Sequence, residues 1–274
     1  MTRRIGGVGE IAGEFDAFVV DQFGVLHDGR ACYPGAVEAL RRLTARGPVA
    51  LMSNSGKRAA ANIERLERLG IGRECYTAFV SSGEVAHGMI AGGELAVPPR
   101  ARTLVVSRGD GAAALDGLDL VATDDPRTAD LVVIAGSQSE RIAMADYETL
   151  LRPAAERGVR ALCTNPDHHM LADGAIHPGA GAIAAVYAAM GGPVAWIGKP
   201  HRAIYEHAAR ALAPHLAGGF DWGRTLGIGD SLAHDVAGVR RMGGAALLVE
   251  TGVAAKGGQS DDPTPDYTMA ALAW

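Results

Sequence analysis

Short apolar runs alternate with segments of helical periodicity along almost the whole chain. The runs that we predict to be strands are residues 15–20, 49–52, 103–107, 118–121, 131–135, 159–164, 194–198, 225–228 and 245–249. Strands that alternate with helices in this way are typical of a mainly parallel sheet covered by helices. The pattern therefore predicts an α/β fold, with a doubly wound, mainly parallel Rossmann-like sheet as its core.

Local signals place several of the intervening helices. One helix is predicted to open near Pro34 and to end at Gly47, where Gly and Pro follow each other. Ser81 and Glu84 have the spacing of a capping box at the start of another helix. Pro153 lies inside a helical stretch and predicts a kink or a break there. The last twenty or so residues are predicted to be loop.

The composition becomes linker-like around residues 91–99, which are rich in Gly and Pro. A second series of strands and helices follows this stretch. We therefore predict two domains. The hydrolase-like core would comprise residues 1–97 and 180–274, and an inserted α/β cap would comprise residues 98–179.

Composition and charge exclude several classes of function. The chain has 274 residues, of which 48% are hydrophobic, so it can bury a substantial core. Its formal net charge is −5 and no basic stripe is present, so nucleic acid is not an expected partner. No apolar segment has the length of a membrane span, and three widely spaced cysteines indicate reduced thiols. We expect a soluble cytoplasmic protein that does not bind a membrane.

Polar residues follow four of the predicted strands. Asp21 follows the first strand, Ser53 the second, Lys199 the strand at 194–198 and Asp230 the strand at 225–228. If these strands share one parallel sheet, their carboxyl ends lie at one edge, and the four side chains converge there.

This set of side chains suits phosphoryl chemistry. Asp21 would attack phosphorus and become a transient aspartyl-phosphate. A hard divalent cation, which we expect to be Mg²⁺, would offset the repulsion between carboxylate and phosphate, with Asp230 and Asp235 as oxygen ligands or as anchors for its waters. Ser53, together with the adjoining Asn54-Ser55 segment, would bind phosphoryl oxygens, and Lys199 would neutralise developing charge. Taken singly, each of these residues also has an ordinary structural interpretation as a turn, cap or surface residue.

The four motifs, in their order along the chain, resemble those of the haloacid dehalogenase (HAD) superfamily of hydrolases. They are Asp21-Gln22-Phe23-Gly24-Val25-Leu26, Ser53-Asn54, Gly198-Lys199-Pro200 and Gly229-Asp230 through Asp235. The long interval between Ser53 and Lys199 resembles the class IIA (C2-type) cap insertion. Asn165-Pro166-Asp167 and Gly179-Ala180-Gly181-Ala182 resemble the sugar-phosphate and nucleotide phosphatase-like branch of that class.

The resemblance implies more than the motifs themselves. It implies a phosphatase-like hydrolase whose substrate is a small phosphorylated metabolite and whose cap supplies much of the specificity. It places Asn165, Asp167 and His168 on the substrate side of the cap. Relatives with this cap type often form homodimers, so a homodimer is also an expectation.

Phe23 departs from the family pattern. In family phosphatases an Asp at this position protonates the leaving alkoxide and then activates water, and Phe can do neither, although its backbone carbonyl can still bind the metal. General acid–base catalysis contributes about 10²–10⁴-fold, so turnover is predicted to be slow or to follow another route. His27 is the candidate substitute acid–base, and the alternative is a turn histidine that faces solvent.

Two other functions stay open at this stage. One is a dehalogenase-like displacement, whose halide leaving group needs no proton and no metal, although the acidic pair of Asp230 and Asp235 speaks against it. The other is a non-catalytic protein that binds a phosphate ligand with the same residues. Binding of a phosphate ester without release of phosphate would identify the latter.

Overall fold

The computed structural model describes residues 2–252 and 263–274, with the backbone alone at 110–112. The helices are α1 (Ala36–Arg46), α2 (Ala59–Arg68), α3 (Ser82–Ala91), α4 (Met144–Glu156), α5 (Ala180–Ala189), α6 (Arg202–Leu212) and α7 (Ala237–Met242). The strands are β1 (Arg3–Arg4), β2 (Ala17–Asp21), β3 (Val49–Ser53), β4 (Ala78–Ser81), β5 (Ala101–Val106), β6 (Leu120–Ala122), β7 (Leu131–Ile134), β8 (Ala161–Cys163), β9 (His169–Ala172), β10 (Ala175–Pro178), β11 (Val194–Trp196), β12 (Thr225–Gly229), β13 (Ala245–Val249) and β14 (Tyr267–Met269).

The chain divides into two compact units. The first unit contains Met1–Ser53, Ala60–Val80 and Lys199–Trp274, and the second contains Asn54–Ala59 and Ser81–Gly198. The α/β class predicted from the sequence is confirmed, since parallel sheets and helices make up both units.

The first unit is built on a seven-stranded sheet in the order β1-β14-β13-β12-β2-β3-β4. Strands β2, β3, β12 and β13 run parallel to one another, and their apolar side chains are almost wholly buried. The chain continues from β2 to one side through β3 and β4, while β12 to β14 occupy the other side. The carboxyl end of β2 therefore lies at the point where strand order reverses, which is where open α/β sheets bind ligands.

The second unit has its own parallel sheet of five strands in the order β11-β8-β7-β5-β6. Helices α4 and α5 bury apolar side chains against it, including Leu151, Ile183 and Tyr187. The Tyr187 hydroxyl donates to the Val159 carbonyl at 2.6 Å, so this polar atom is satisfied inside the core. A separate antiparallel hairpin joins β9 to β10.

The predicted domain boundaries, 97/98 and 179/180, differ from this division. The second unit begins again at Ser81 and continues to Gly198. Two contacts explain the difference. Helix α5 contributes to the apolar core of the second unit, and β11 pairs in parallel with β8, so both elements belong to that unit rather than to the first.

Several local predictions also need correction. The prediction that the C-terminal residues are loop is wrong at β14, which pairs with β13 and β1. Helix α4 continues through Pro153, four residues before Arg157 caps it, rather than breaking there. The capping box is half formed: Ser81 Oγ accepts from the Glu84 N–H at 3.2 Å, while the Glu84 carboxylate binds Arg58 and the Ala59 N–H. Among the described residues, no helix is long and apolar enough to cross a membrane.

Candidate active site

A buried lysine joins two carboxylates at the reversal point of the first unit. Lys199 Nζ donates to Asp21 Oδ1 and to Asp235 Oδ1, each at 2.6 Å. All three side chains are almost fully buried. Asp230 completes the group, since carboxylate oxygens of Asp21, Asp230 and Asp235 lie within 4.8 Å of one another. Sequence reasoning predicted that Asp21, Ser53, Lys199 and Asp230 converge. Asp21, Lys199 and Asp230 do come together, and Asp235 is the fourth member of the observed cluster.

The strand that precedes Lys199 corrects one premise of that prediction, namely that all four residues follow strands of the same sheet. Asp21, Ser53 and Asp230 follow β2, β3 and β12, which are neighbours in the seven-stranded sheet. Lys199 follows β11 at a distance of three residues, and β11 belongs to the sheet of the second unit. The four positions are therefore not the ends of strands in one sheet, although Lys199 itself belongs to the first unit.

The segment after β12 holds Asp235 in place. Ser231 Oγ accepts from the His234 N–H at 3.2 Å and so caps a short π-helical turn, Leu232–Val236. The Ser231 N–H donates to Asp235 Oδ2 at 3.1 Å. Because Lys199 occupies Oδ1, both oxygens of this buried carboxylate have a donor. That arrangement fixes the orientation of the Asp235 carboxylate.

Asp230 lies against two glycines, and this close approach explains their presence. Gly24 has φ +86°, and a β carbon there would collide with the Asp230 carboxylate. A β carbon at Gly252 would collide with the same carboxylate. The Thr251 hydroxyl donates to the Gly24 carbonyl and ties the two loops together. Only glycine leaves the carboxylate room at these positions.

The electrostatics of the cluster follow from its burial. Burial raises the pKa of the Asp21 carboxyl to about 8, with Lys199 opposing that shift and the Asp235 and Asp230 charges adding to it. Burial acts to lower the pKa of Lys199, but the Asp21 and Asp235 carboxylates hold it well above its ordinary value. Three carboxylates and one ammonium leave a net negative site. A bound cation would therefore favour the ionised form of Asp21.

The donor set fits a hard divalent cation. Carboxylate oxygens are the ligands that Mg²⁺ prefers, and the three acids present them within reach of one ion. Both oxygens of Asp235 already accept protein hydrogen bonds. The ligand roles of Asp21 and Asp230 stay predictions. The Phe23 backbone carbonyl stays a predicted ligand.

Ser53 and the loop after β2 occupy the same edge of the sheet. Asp21 is paired in register with Met52, so the buried Ser53 lies one residue beyond it on the adjacent strand. Its phosphate-binding role stays a prediction. Phe23 is 51% exposed, and its ring packs edge-on against His27 with centroids 5.9 Å apart.

His27 does not face solvent. Its side chain is fully buried, and Nδ1 accepts from the Gly29 N–H at 3.0 Å. Burial, together with the nearby Arg65 charge, lowers the pKa of His27 to about 4. The alternative of a solvent-facing turn histidine is therefore wrong, and the ring has no exposed atom with which to meet a substrate in this conformation.

The remaining predicted site residues belong to the second unit. Asn54 Nδ2 donates to Asp167 Oδ1 at 2.8 Å, and Asn165 Oδ1 accepts from the Asp167 N–H at 3.1 Å. The Ser55 carbonyl accepts from the Gly83 N–H at 3.1 Å. The exposed His168 stacks on Trp196 with ring centroids 6.5 Å apart. These residues form a second polar group, and their roles toward a substrate stay predictions.

Sequence reasoning missed two kinds of residue near Asp21. Tyr205 lines a cavity of about 10 Å³ with Asp21, Lys199 and Asp235, and its hydroxyl donates to the His234 carbonyl at 3.2 Å. On the apolar face of α6 it resembles any core residue, so no signal was available. Gln22 and Arg65 are joined by a 3.2 Å hydrogen bond beside His27. The position of Gln22 directly after Asp21 was the signal for that pair.

Comparison with known proteins decides the family. A haloacid dehalogenase-like hydrolase family matches residues 18–120, and a HAD-hydrolase-like family matches residues 196–274. Bovine chronophin (Bos taurus) is 31% identical over 255 residues, which cover 89% of this chain and 84% of chronophin. The chain belongs to the haloacid dehalogenase-like hydrolases.

Solved structures agree with this membership. A haloacid dehalogenase-like hydrolase from Brucella suis 1330 superposes with a TM-score of 0.86 at 31% identity, over 98% of this chain and 100% of that one. A glycerol phosphate phosphatase from Mycobacterium tuberculosis, in complex with magnesium, superposes with a TM-score of 0.69 at 26% identity, over 89% of this chain and 70% of that one. The family resemblance drawn from the four motifs is thus confirmed.

Proposed function

We propose that this hydrolase removes phosphate from a small phosphate monoester through an aspartyl-phosphate at Asp21. The observation that carries the proposal is the geometry of Lys199, which binds Asp21 and Asp235 at 2.6 Å each inside a buried acidic cluster. A lysine beside a buried carboxylate can neutralise charge on a phosphoryl group as that carboxylate attacks it. The family relatives include a glycerol phosphate phosphatase, which supports the reaction class.

Each candidate site residue of the first unit has a proposed role in this reaction. Asp21 supplies the attacking oxygen, and Lys199 holds that carboxylate and meets the phosphoryl oxygens. Asp235 keeps Lys199 charged and oriented, and Ser53 donates to a phosphoryl oxygen. Asp21, Asp230 and the Phe23 carbonyl would hold Mg²⁺, with Asp235 supporting its waters. When bound, the ion supplies positive charge that offsets the repulsion between carboxylate and phosphate.

The polar residues of the second unit would then serve recognition. Asn54 and Ser55 are proposed to assist phosphate binding, and Asn165, Asp167 and His168 to contact the part of the substrate beyond the phosphate. We further propose a homodimeric cytoplasmic enzyme that acts on phosphorylated metabolites.

The test is a screen of phosphate esters with Mg²⁺, with Asp21→Asn as the blank. Phosphate release that needs both Mg²⁺ and Asp21 is the expected result. Equilibrium binding of phosphate esters without any release would instead favour a non-catalytic phosphate-binding protein. Halide release from alkyl halides without metal would favour the displacement reaction, for which the three clustered carboxylates have no use.

A further inference from the structure

The loop after β2 exposes an aromatic ring where a leaving group could be protonated. Phe23 is 51% exposed, two residues after the proposed nucleophile, and has no proton to give. The ring packs edge-on against His27 and lies close to Gly29, where an added β carbon would be 3.2 Å from Phe23 Cε2. An exposed phenyl ring at this position offers a leaving group neither a proton nor a hydrogen bond.

His27 cannot take over the task in this conformation. Nδ1 accepts from the Gly29 N–H, so the ring proton of neutral His27 is on Nε2. That nitrogen is buried and faces no acceptor among the described residues. The proton is therefore buried inside the protein and out of contact with solvent.

Two described groups beside Asp21, and one on the loop after β2, are poor proton donors. Lys199 shares its ammonium between two carboxylates at 2.6 Å, which makes the loss of a proton unfavourable. The Tyr205 hydroxyl is buried and donates to the His234 carbonyl. Asp28, farther along the loop, accepts two backbone N–H bonds at 2.8 Å, and these lower its pKa and keep it ionised.

We propose that the preferred substrates of this site are activated phosphates, whose leaving group departs as a stabilised anion: acyl phosphates, phosphoanhydrides and aryl phosphates. This inference rests on the function proposed above. A carboxylate or phenolate leaving group needs no proton as the P–O bond breaks, so the absence of a nearby acid does not slow its departure. An alkoxide does need one, and alkyl phosphates should be poor substrates.

The first step balances without an acid. An Asp21 carboxylate oxygen forms a bond to phosphorus, the bond from phosphorus to the leaving oxygen breaks, and the electron pair leaves with the carboxylate or phenolate. In the second step water attacks phosphorus, the aspartyl oxygen leaves with its electron pair, and the water proton ends on inorganic phosphate. Because Phe23 cannot take the proton of that water as a carboxylate at this position would, we expect this second step to be slow and the phosphoenzyme to accumulate.

The test uses the wild-type protein with Mg²⁺ and a series of phosphates of graded leaving-group basicity. Acetyl phosphate, p-nitrophenyl phosphate, phenyl phosphate and glycerol phosphate span the range. We expect kcat/KM to fall at least about 10²-fold from the first two to glycerol phosphate. Activated substrates should also give a burst of about one leaving group per active site and an acid-stable phosphoprotein on rapid quenching. Equal kcat/KM across the series would overturn the inference, because it would mean that another group supplies the proton.

Two matched variants sharpen the result. Phe23→Asp should raise the ratio of kcat/KM for glycerol phosphate to kcat/KM for acetyl phosphate by about 10²-fold or more. An Asn side chain has nearly the shape of Asp but no carboxyl proton to transfer, so Phe23→Asn should give no such selective gain. Equal gains in both variants would contradict the inference, and if Phe23→Asp fails to fold, the wild-type series decides alone.

The outcomes also separate this inference from the proposed function. If every phosphate is inert, or if Asp21→Asn retains activity, the phosphatase proposal itself fails. If glycerol phosphate turns over as fast as acetyl phosphate in an Asp21-dependent way, the function stands and only the preference for activated phosphates is lost.

Discussion

The two units each contain a polar group at the ends of parallel strands, and the two groups are built on different principles. In the first unit, Asp21, Asp235 and Lys199 are charged and nearly inaccessible to water. In the second, Asn54 and Asp167 are linked by one amide–carboxylate hydrogen bond, and the neighbouring His168 is exposed. The first group concentrates charge at low dielectric, while the second joins loops and leaves side chains in contact with solvent.

This contrast indicates a division of labour. Charge that is desolvated and held by several partners acts strongly on a reacting phosphoryl group, because little solvent reorganisation is needed. Exposed polar side chains supply hydrogen bonds that can differ from one substrate to the next with modest energetic consequence. We therefore expect substitutions in the first unit to change the rate of chemistry, and those in the second to change substrate binding.

The largest difference in activity should appear when the same Asp→Asn substitution is made in each unit. Asp21→Asn removes the attacking charge and nearly preserves shape, so phosphate release should fall below detection while the fold survives. Asp167→Asn should leave kcat within a few-fold. Steady-state kinetics with a responsive phosphate ester, accompanied by circular dichroism, makes the comparison. Residual activity in Asp21→Asn close to that of the wild type would rule out the covalent mechanism.

The second effect concerns the metal. Asp230→Ala should weaken Mg²⁺ binding by at least about 10-fold, because it removes an oxygen donor from the cluster. Asp167→Ala, in the second unit, is the control and should leave Mg²⁺ affinity unchanged. Calorimetric titration of Mg²⁺ measures both. Unchanged affinity in Asp230→Ala would show that the metal assignment of Asp230 is wrong.

The site residues of the first unit were predictable from the sequence, whereas the strand pairing of β11 in the second unit was not. Asp21, Lys199 and Asp230 were found because each follows an apolar run, and Asp235 was found five residues after Asp230 in the fourth motif. The sheet to which β11 belongs was not predictable, since Val194–Trp196 is apolar and short and carries no mark of its partner strand. Pairing between distant strands depends on long-range packing that local patterns do not encode.

The burial of His27 was also beyond local reasoning. A histidine next to Asp28 and Gly29 has the composition of an exposed turn, yet its ring is fully buried beside Gln22 and Arg65. Strands β1 and β14 were missed for a related reason. Arg3 and Arg4 are exposed and charged, and only their pairing with residues 267 and 268 makes them a strand.

A third prediction concerns the backbone that touches Asp230. Gly24→Ala places a side chain at φ +86° and against the carboxylate, and it should destabilise the protein by about 2–4 kcal/mol. Gly70→Ala is the matched control, with φ +87° and nothing within 4 Å, and should cost about 1–2 kcal/mol. Chemical denaturation measures both. Equal losses would mean that the close approach to Asp230 has no energetic consequence.

A fourth prediction tests recognition in the second unit. Asn54→Ala removes the donor to Asp167 and should destabilise by about 1–3 kcal/mol, since a partly buried carboxylate loses a hydrogen bond. If the division of labour holds, KM should rise for that variant while kcat changes little. A fall in kcat comparable with that of Asp21→Asn, at unchanged KM, would contradict the comparison.

The smallest effect concerns stability against pH, and it compares a buried histidine of the first unit with an exposed one of the second. The pKa of His27 is lowered from 6.5 to about 4, because burial disfavours its charged form. Between these two pH values the unfolded chain binds a proton at His27 that the folded chain excludes. The free energy of unfolding should therefore be unaffected by His27 above pH 6.5 and should fall as the pH drops below it, by up to about 1.4 kcal/mol per pH unit.

His27→Gln removes this contribution and keeps an acceptor for the Gly29 N–H, so its stability should decline less steeply from pH 6.5 to 4.5. The same substitution at His169, whose side chain is exposed, is the control for replacing a histidine by glutamine. Urea denaturation of the three proteins across this range makes the measurement, and identical slopes for wild type and His27→Gln would mean that His27 is accessible to protons in the folded state, which would restore it as a candidate acid.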